Sequence, residues 1–354
     1  MTLTVTELPQ PGYEAVLLGS DPAAGYRAII AIHDTTLGPG AGGARLWPYA
    51  SNQEALTDAL RLARAMTYKS AVAGLPLGGA KAVIIAPPGL TGRDREQLLL
   101  AHGRFVESLA GRYLTAEDVG TSTADMAIVR RETRHVAGVE GEADPSPFTA
   151  HGVFRAMQAA ARWRWGSDAL AGRTVALQGC GNVGSALARE LHRAGARLVV
   201  SDVAAKRAEA LATECGAAVM PSDAIVDARA DIFAPCALGG ALNSETIPRL
   251  QVGIVAGAAN NQLAEPRHGE ELAARGILYA PDFVANAGGV LSAGPDQLGW
   301  PTDTAWARIH AIYDTTLTLF REAERNGVPP HVAAERLAER ILAQAREKRA
   351  ALRT

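Results

Sequence analysis

The chain has 354 residues, beyond the ~250 to 300 over which one hydrophobic core keeps growing, so two domains are expected. Hydrophobic residues make up 48% and charged residues 20%, a globular balance that excludes a disordered chain. The 35 basic and 37 acidic residues are not segregated into blocks, which excludes the basic footprint of a nucleic-acid partner.

In chain order, residues 26–32 (YRAIIAI) and 82–86 (AVIIA) read as buried strands, short apolar runs bounded by Gly, Pro and polar residues. Between them Ser51 and Glu54 form an S-x-x-E capping box. The apolar residues that follow, from Ala55 to Met66, recur at three and four residues, which predicts a helix ending just before Lys69. A second helix is expected over 93–110. The acidic, proline-bearing segment 140–147 is expected to be the hinge between domains. Thereafter strands are predicted at 174–178, 197–201, 217–220, 231–234, 253–256 and 277–280. Helices between the earlier ones imply a parallel, doubly wound sheet. Helices at 300–326 and 331–349 close the chain, the last amphipathic and expected to pack back on the first domain.

The first ten residues carry no basic residue and no apolar h-region, and no 18 apolar residues run uninterrupted. This predicts neither a secretion signal nor a membrane span. Cys180, Cys215 and Cys236 are odd in number, widely spaced and never C-x-x-C, as expected of a reduced, cytoplasmic compartment with no structural zinc. No H-E-x-x-H occurs, no metal site is expected, and the eight histidines share no spacing that assigns them chemistry. The Arg162–Trp165 cluster reads as packing between helices or domains.

Lysine usage is informative. Only Lys69, Lys81, Lys206 and Lys348 are lysines, against 31 arginines, so generic cationic positions go to Arg. Lys206 and Lys348 fall on solvated helices, but Lys69 and Lys81 flank the apolar run SAVAGLPLGGA. An ammonium beside buried apolar chain is costly unless it is paired or loses its proton, and lysine can lose it where arginine cannot.

Gly179, Gly181 and Gly184 form G-x-G-x-x-G with Cys180, Asn182 and Val183 between them, after a predicted strand and opening a helix. The first glycine allows the tight turn, the second lets backbone approach a pyrophosphate at the helix N-terminus, and the third permits close helix packing. Asp202 ends the next strand, where a carboxylate bonds an adenine ribose and repels a 2′-phosphate. Together these indicate NAD. Polar and Gly-rich clusters at 235–240, 257–261 and 286–289 follow later strands, read either as turns or as a rim facing the nicotinamide. Asp118, in TAEDVGT, is a cap or turn aspartate or a catalytic group. The run 38–45 (GPGAGGAR) is a flexible connection or a backbone cradle for a carboxylate.

Over nearly its whole length the chain resembles the leucine, valine and phenylalanine dehydrogenase group of amino-acid dehydrogenases, distant kin of glutamate dehydrogenase. The motifs are GPGAGGARLWPYAS, MTYKSAVAGLPLGGAK, TAEDVGTSTADM, DPSPFTAHGVFRAM, GCGNVG, FAPCALGG, GAANNQL and YAPDFVANAGGV. Ala80 departs from the glycine usual before the lysine. The resemblance implies an α/β fold of two domains separated by a cleft: a substrate domain over 1–139, to which a C-terminal helix at 328–354 returns, and a Rossmann-type NAD domain over 140–327. It also implies roles. Lys81 and Asp118 would be catalytic; Lys69, Gly42, Gly43 and Asn260 would hold the substrate carboxylate; Ala41, Ala116, Val290 and Ala293 would line the side-chain pocket. The cofactor would be held by Gly179, Gly181, Asn182, Val183, Gly184 and Asp202 together with Thr149, Cys236, Ala237, Ala258 and Asn260.

The implied reaction converts a hydrophobic L-amino acid to its 2-oxo acid and ammonia with NAD, in a homo-oligomer. An NAD-sensing regulator would have no reason to keep Lys69, Lys81 and Asp118 together. A hydroxy-acid dehydrogenase would want a motif histidine. A glutamate-type enzyme would need a cation for the second carboxylate, where the implied lining is small and apolar.

Overall fold

In a computed structural model, residues 3–139 and 144–352 are described. By contacts the chain divides into two units, 1–143 with 338–354, and 144–337.

Unit 1 is built on a six-stranded mixed sheet in the order β1-β2-β3-β5-β4-β6. The strands are β1 (Thr4–Glu7), β2 (Ala15–Asp21), β3 (Tyr26–Asp34), β4 (Gly40–Trp47), β5 (Gly78–Ile85) and β6 (Tyr113–Glu117), with helices α1 (Asn52–Val72), α2 (Gly92–Ser108) and α3 (Thr123–Val129). Strands β1, β2, β3 and β5 pair antiparallel, whereas β4 runs parallel to both β5 and β6. One sheet face buries Ala28, Ile30, Ile32, Ala80, Ala82 and Ile84 with Leu98, Leu99 and Phe105 of α2. The opposite face buries Ile29, Ala31 and Val83 with Ala55, Ala59 and Ala63 of α1. Successive residues of β5 therefore serve different cores. The methyl of Ala80 packs in the α2-side core, away from the direction of Lys81, which is how this departure from the usual glycine is accommodated.

Three expectations need correction here. The capping box is half formed: Ser51 accepts the Glu54 N–H at 3.1 Å, but the Glu54 carboxylate accepts from Ala50. Helix α1 does not stop before Lys69; it runs to Val72 and ends at Gly74, whose φ of +66° is open to glycine, so Lys69 lies on the helix. The run 38–45 is not a flexible connection but enters β4. Its glycines hide the strand pattern because backbone lies where side chains would be: a Cβ on Gly42 would sit 1.8 Å from the Ala80 carbonyl oxygen, and one on Gly43 would meet Asp118.

Unit 2 is a doubly wound sheet. Its strands β7 (Thr174–Gln178), β8 (Arg197–Ser201), β9 (Ala218–Val219), β10 (Ile232–Pro235), β11 (Ile254–Val255) and β12 (Leu278–Tyr279) are all parallel, in the order β12-β11-β10-β7-β8-β9. Its helices are α4 (Pro145–Trp165), α5 (Asn182–Arg193), α6 (Ala205–Cys215), α7 (Arg267–Ala274), α8 (Asp282–Ala285), α9 (Gly288–Ser292), α10 (Gly294–Leu298), α11 (Thr302–His310) and α12 (Ile312–Asn326). This strand order reverses direction between β7 and β10, the point at which such sheets bind dinucleotides.

The expected hinge begins at 140–143, outside the described residues; from Asp144, whose side chain caps the Ser146 N–H, the segment is the start of α4. The helix expected at 300–326 is two, α11 and α12, parted at Ala311, whose backbone stays helical. The last helix, α13 (Pro330–Ala351), is divided between the units. Its residues to 337 belong with unit 2, where the His331 ring lies against Gly269. Those from 338 belong with unit 1, where Tyr68 donates to Glu339 and Arg346 pairs with Asp34. The Arg162–Trp165 cluster packs within unit 2: Trp163 lies 6.0 Å from Phe320 and Arg173 stacks 3.9 Å over Trp165.

Candidate active site

In unit 1 three elements bring charge to one point. Strand β5 carries Lys81, the turn after β6 carries Asp118, and β4 carries Arg45. Lys81 Nζ lies 2.9 Å from Asp118 Oδ1, and Arg45 Nε donates to Asp118 Oδ2 at 2.9 Å. Arg45 then reaches α1, its second nitrogen 2.9 Å from Asp58 Oδ2, where the Tyr49 hydroxyl also donates at 2.5 Å. Asp118 is itself placed by a turn: its N–H donates to the Thr121 hydroxyl, which donates to the Ala44 carbonyl.

Lys81 is buried, only 4% exposed, while Asp118, Arg45 and Asp58 are half-buried. Burial lowers the Lys81 pKa from the ordinary lysine value, and the Arg45 cation pushes the same way against the pull of Asp118. Burial alone would raise the Asp118 carboxyl, but Lys81 and Arg45 outweigh it and hold the group below its usual range, as an anion. The pair is thus an anion held by two cations, one of which is eased toward giving up its proton. Such a lysine is equipped to act as a base.

Lys69 is 7% exposed on the last turns of α1. This helix packs closely on β5 because Gly79 has no side chain: a Cβ there would meet the Thr67 backbone nitrogen at 2.1 Å. Gly42 and Gly43 fall in a gap in the β4–β5 pairing, between the pairs Ala41–Gly79 and Ala44–Ala82, with the register unchanged across it. Ala41 and Ala116 are half-buried on β4 and β6. From the sequence Arg45 carries no expected role: it lies two residues beyond Gly43, in a chain where 31 arginines make any one inconspicuous.

In unit 2 the glycine motif makes its site from backbone. Gly179 has φ +100° at the end of β7, and its N–H donates to the Ser201 carbonyl at 2.7 Å. Gly181 caps α5, whose first residues are Asn182 and Val183; a Cβ on Gly181 would meet nothing within 4 Å, whereas one on Gly184 would sit 2.0 Å from the Gly179 oxygen. The first and third glycines are thus needed by the fold, and the second leaves open space at a helix N-terminus. That space, flanked by the carboxylate of Asp202 after β8, fits a dinucleotide pyrophosphate and ribose. Asp202 accepts from the Cys180 and Ala204 N–H groups at 2.7 and 2.8 Å, and a carboxylate has lone pairs left for ribose hydroxyls.

Across the switch point, Ala237 lies where a Cβ on Gly179 would meet it, and the Cys236 N–H donates to the Gln178 carbonyl. Beyond β11 the Asn286 amide donates to the Ala258 carbonyl and to Asn260 Oδ1, at 3.0 and 2.9 Å, so Asn286 orients Asn260. Thr149 on α4 lies against Gly289, and Val290 on α9 and Ala293 at its C-cap are half-buried. The Cys180 thiol is pushed up to about 11, first by burial and then by Asp202, which makes it a poor nucleophile. Among the described residues no group of three or more His, Cys, Asp or Glu is placed to hold a metal, and no helix is long and apolar enough to cross a membrane.

A doubly wound sheet with a glycine-rich turn at a helix N-terminus in one unit, and a lysine–aspartate pair in the other, are features of the nicotinamide-dependent dehydrogenase class. The chain belongs to the Glu/Leu/Phe/Val dehydrogenase family: the model of its dimerisation domain matches residues 18–135, and that of its Glutamate/Leucine/Phenylalanine/Valine dehydrogenase domain matches 141–206 and 200–350. These are amino-acid dehydrogenases, oxidoreductases that depend on NAD(P).

Leucine dehydrogenase of Thermoactinomyces intermedius is 49% identical over 95% of this chain and 93% of its own length, and valine dehydrogenase of Streptomyces albus is 49% identical over 98% and 96%. The crystal structure of L-tryptophan dehydrogenase from Nostoc punctiforme is similar with a TM-score of 0.80, at 46% identity, covering 95% of this chain and 97% of that one.

Proposed function

We propose that the chain catalyses the reversible, NAD-dependent oxidative deamination of hydrophobic L-amino acids, with unit 1 holding the substrate and unit 2 the dinucleotide. The observation that carries the reading is the Lys81–Asp118 pair, with its second carboxylate oxygen taken by Arg45. Lys69 and the N–H groups of Gly42 and Gly43 hold the substrate carboxylate, with Asn260, and Asp118 receives the ammonium in place of the Lys81 cation. Freed of that partner and neutral, Lys81 accepts a proton from the substrate ammonium to leave the free amine, passes it to solvent, and then accepts one from the water that attacks the iminium carbon. When bound, NAD supplies the acceptor for the Cα hydride. Asp202 favours NAD over NADP because a 2′-phosphate beside it adds repulsion. In keeping with the named dimerisation domain, we take the working form to be a homo-oligomer in the cytoplasm.

Ala41, Ala116, Val290 and Ala293 set the substrate choice. In leucine-preferring members of the group the positions of Ala41 and Ala293 tend to carry bulkier aliphatics, and each methylene of space a ligand fills contributes ~0.8 kcal/mol. Phenylalanine is therefore expected to be at least as good a substrate as leucine or valine. Glutamate is expected to be a poor one, its second carboxylate lacking a partner. The relatives named for leucine, valine and tryptophan support a hydrophobic side chain. A panel of L-amino acids with NAD and with NADP at alkaline pH, read by NADH or NADPH absorbance, tests this. A preference for glutamate would overturn the substrate class, and equal efficiency with NADP would overturn the role of Asp202.

A further inference from the structure

Resting on the reading of Lys81 as the base, the geometry of Arg45 carries a further assignment. Asp118 has two oxygens and two cationic partners, Lys81 on Oδ1 and Arg45 on Oδ2, each at 2.9 Å. A lone aspartate against a lysine in a buried site stabilises the ammonium and so opposes base chemistry. A second, permanent cation on the same carboxylate divides that stabilisation and repels the ammonium. Arginine is suited to the task because it stays charged at any working pH and its planar fork serves two carboxylates at once. Here the fork spans Asp118 on one side and Asp58 on the other, and Asp58 is held in turn by the Tyr49 hydroxyl at 2.5 Å. Burial and Asp58 both keep Tyr49 protonated, as a donor.

We propose that Arg45 is a positioning residue for the base: by occupying Oδ2 of Asp118 and fixing a second cation beside Lys81, it favours the neutral form of that lysine, with Asp58 and Tyr49 holding Arg45 in place. The ionisable groups around Lys81 are consistent with this balance. Arg45 works with burial against the ammonium, while Asp118 and, more weakly, Asp58 work for it. On β3, which pairs with β5 at Ala31–Lys81, His33 is bonded to Thr67 and Asp34 is paired with Arg346. Lys69 lies on α1, the helix that packs on β5.

The chain's scarcity of lysine supplies a readout independent of turnover. Labelling lysine with 13C at Cε gives four signals, from Lys69, Lys81, Lys206 and Lys348, assignable by single substitutions. In the wild type the Lys81 signal is expected to titrate below the ordinary lysine value. R45M should move the Lys81 titration upward by about one pH unit or more, as expected for two cations a few ångströms apart. D58N keeps an oxygen for Arg45 and Tyr49 but removes a negative charge, and should move it downward by a few tenths of a unit. R45K, which keeps the charge without the fork, should fall between R45M and wild type.

In an active wild type the acid limb of the kcat/KM profile should follow the same signs. A merely structural Arg45 would lower activity in both R45M and D58N without opposed shifts. A Lys81 titration unmoved or lowered in R45M overturns the proposal. Should R45M not fold, D58N decides, an unmoved or raised titration counting against it. Absence of turnover in the wild type with every hydrophobic amino acid would refute the dehydrogenase reading, while the NMR titration would still test Arg45.

Discussion

The two units solve the same problem, presenting polar groups, by opposite means. Unit 1 uses ionised side chains held against one another: Lys81, Asp118, Arg45 and Asp58 form a continuous chain of contacts, each 2.9 Å. Unit 2 uses main chain, aiming the N-terminus of α5 at space left by a missing side chain at Gly181. Charge tunes chemistry and backbone binds without titrating, so the first design suits proton transfer and the second suits a phosphate that must be held at any working pH. Substitutions should therefore fail differently in the two units.

The sharpest break of the comparison is Lys81→Met. Removing a general base is expected to lower kcat by ~10³-fold or more, whereas NADH affinity, measured by fluorescence titration, should be unchanged because every group assigned to the dinucleotide lies in the other unit. A variant retaining full turnover would remove Lys81 from the mechanism. A variant that lost NADH binding would show that the separation of roles between the units is wrong.

In unit 2 the glycines should separate fold from ligand. Gly184→Ala places a methyl 2.0 Å from the Gly179 oxygen and is expected to lower the melting temperature along with dinucleotide affinity, overpacking of this kind costing ~1 to 3 kcal/mol. Gly181→Ala meets no protein atom within 4 Å. It should leave melting unchanged and weaken NADH binding by about tenfold, since its methyl enters the space assigned to the pyrophosphate. Loss of melting temperature in Gly181→Ala with unaltered affinity would reverse the assignment.

Unit 2 was the more legible of the two from sequence, and the reason is physical. Its strands are short apolar runs between turn residues, and the expected ranges 174–178 and 197–201 coincide with β7 and β8. Parallel, doubly buried strands have that signature. In unit 1 the strands that frame the site, β4 and β6, were not read as strands. β4 begins with four small residues, Gly40 to Gly43, which carry no pattern because their neighbours fill the space. Lys81 and Asp118 could be singled out, one by the rarity of lysine and the other by resemblance. The partner that joins them to α1 could not, because Arg45 meets Asp58 and Asp118 through the register of β4, from 13 and 73 residues away.

The smallest expected effect concerns a group in unit 1 that titrates outside the site. His102 is fully buried on α2, bonded to the Tyr26 hydroxyl at 2.9 Å, and burial lowers its pKa to about 3. The unfolded chain takes up this proton near the ordinary histidine value of ~6.5, so between those limits the unfolded state binds more protons than the folded one. Stability therefore rises with pH across this window and is lost as pH falls below about 6.5, at roughly 1.4 kcal/mol per unit from this one residue. The depressed carboxylates Asp34, Asp118 and Asp125 add their losses at lower pH, as they are protonated, so the interval from pH 6.5 to 5 isolates the histidines. His33 and His331, also lowered first by burial, contribute in the same direction. Replacing His102 by Gln keeps a polar group near Tyr26 and removes the titration. Urea unfolding at pH 6.5 and 5 should show the variant losing about 1 to 2 kcal/mol less than wild type over that interval. An identical pH dependence in the two proteins would mean that His102 takes up its proton as readily folded as unfolded, and that at pH 5 unit 1 carries a buried charge outside its site as well as within it.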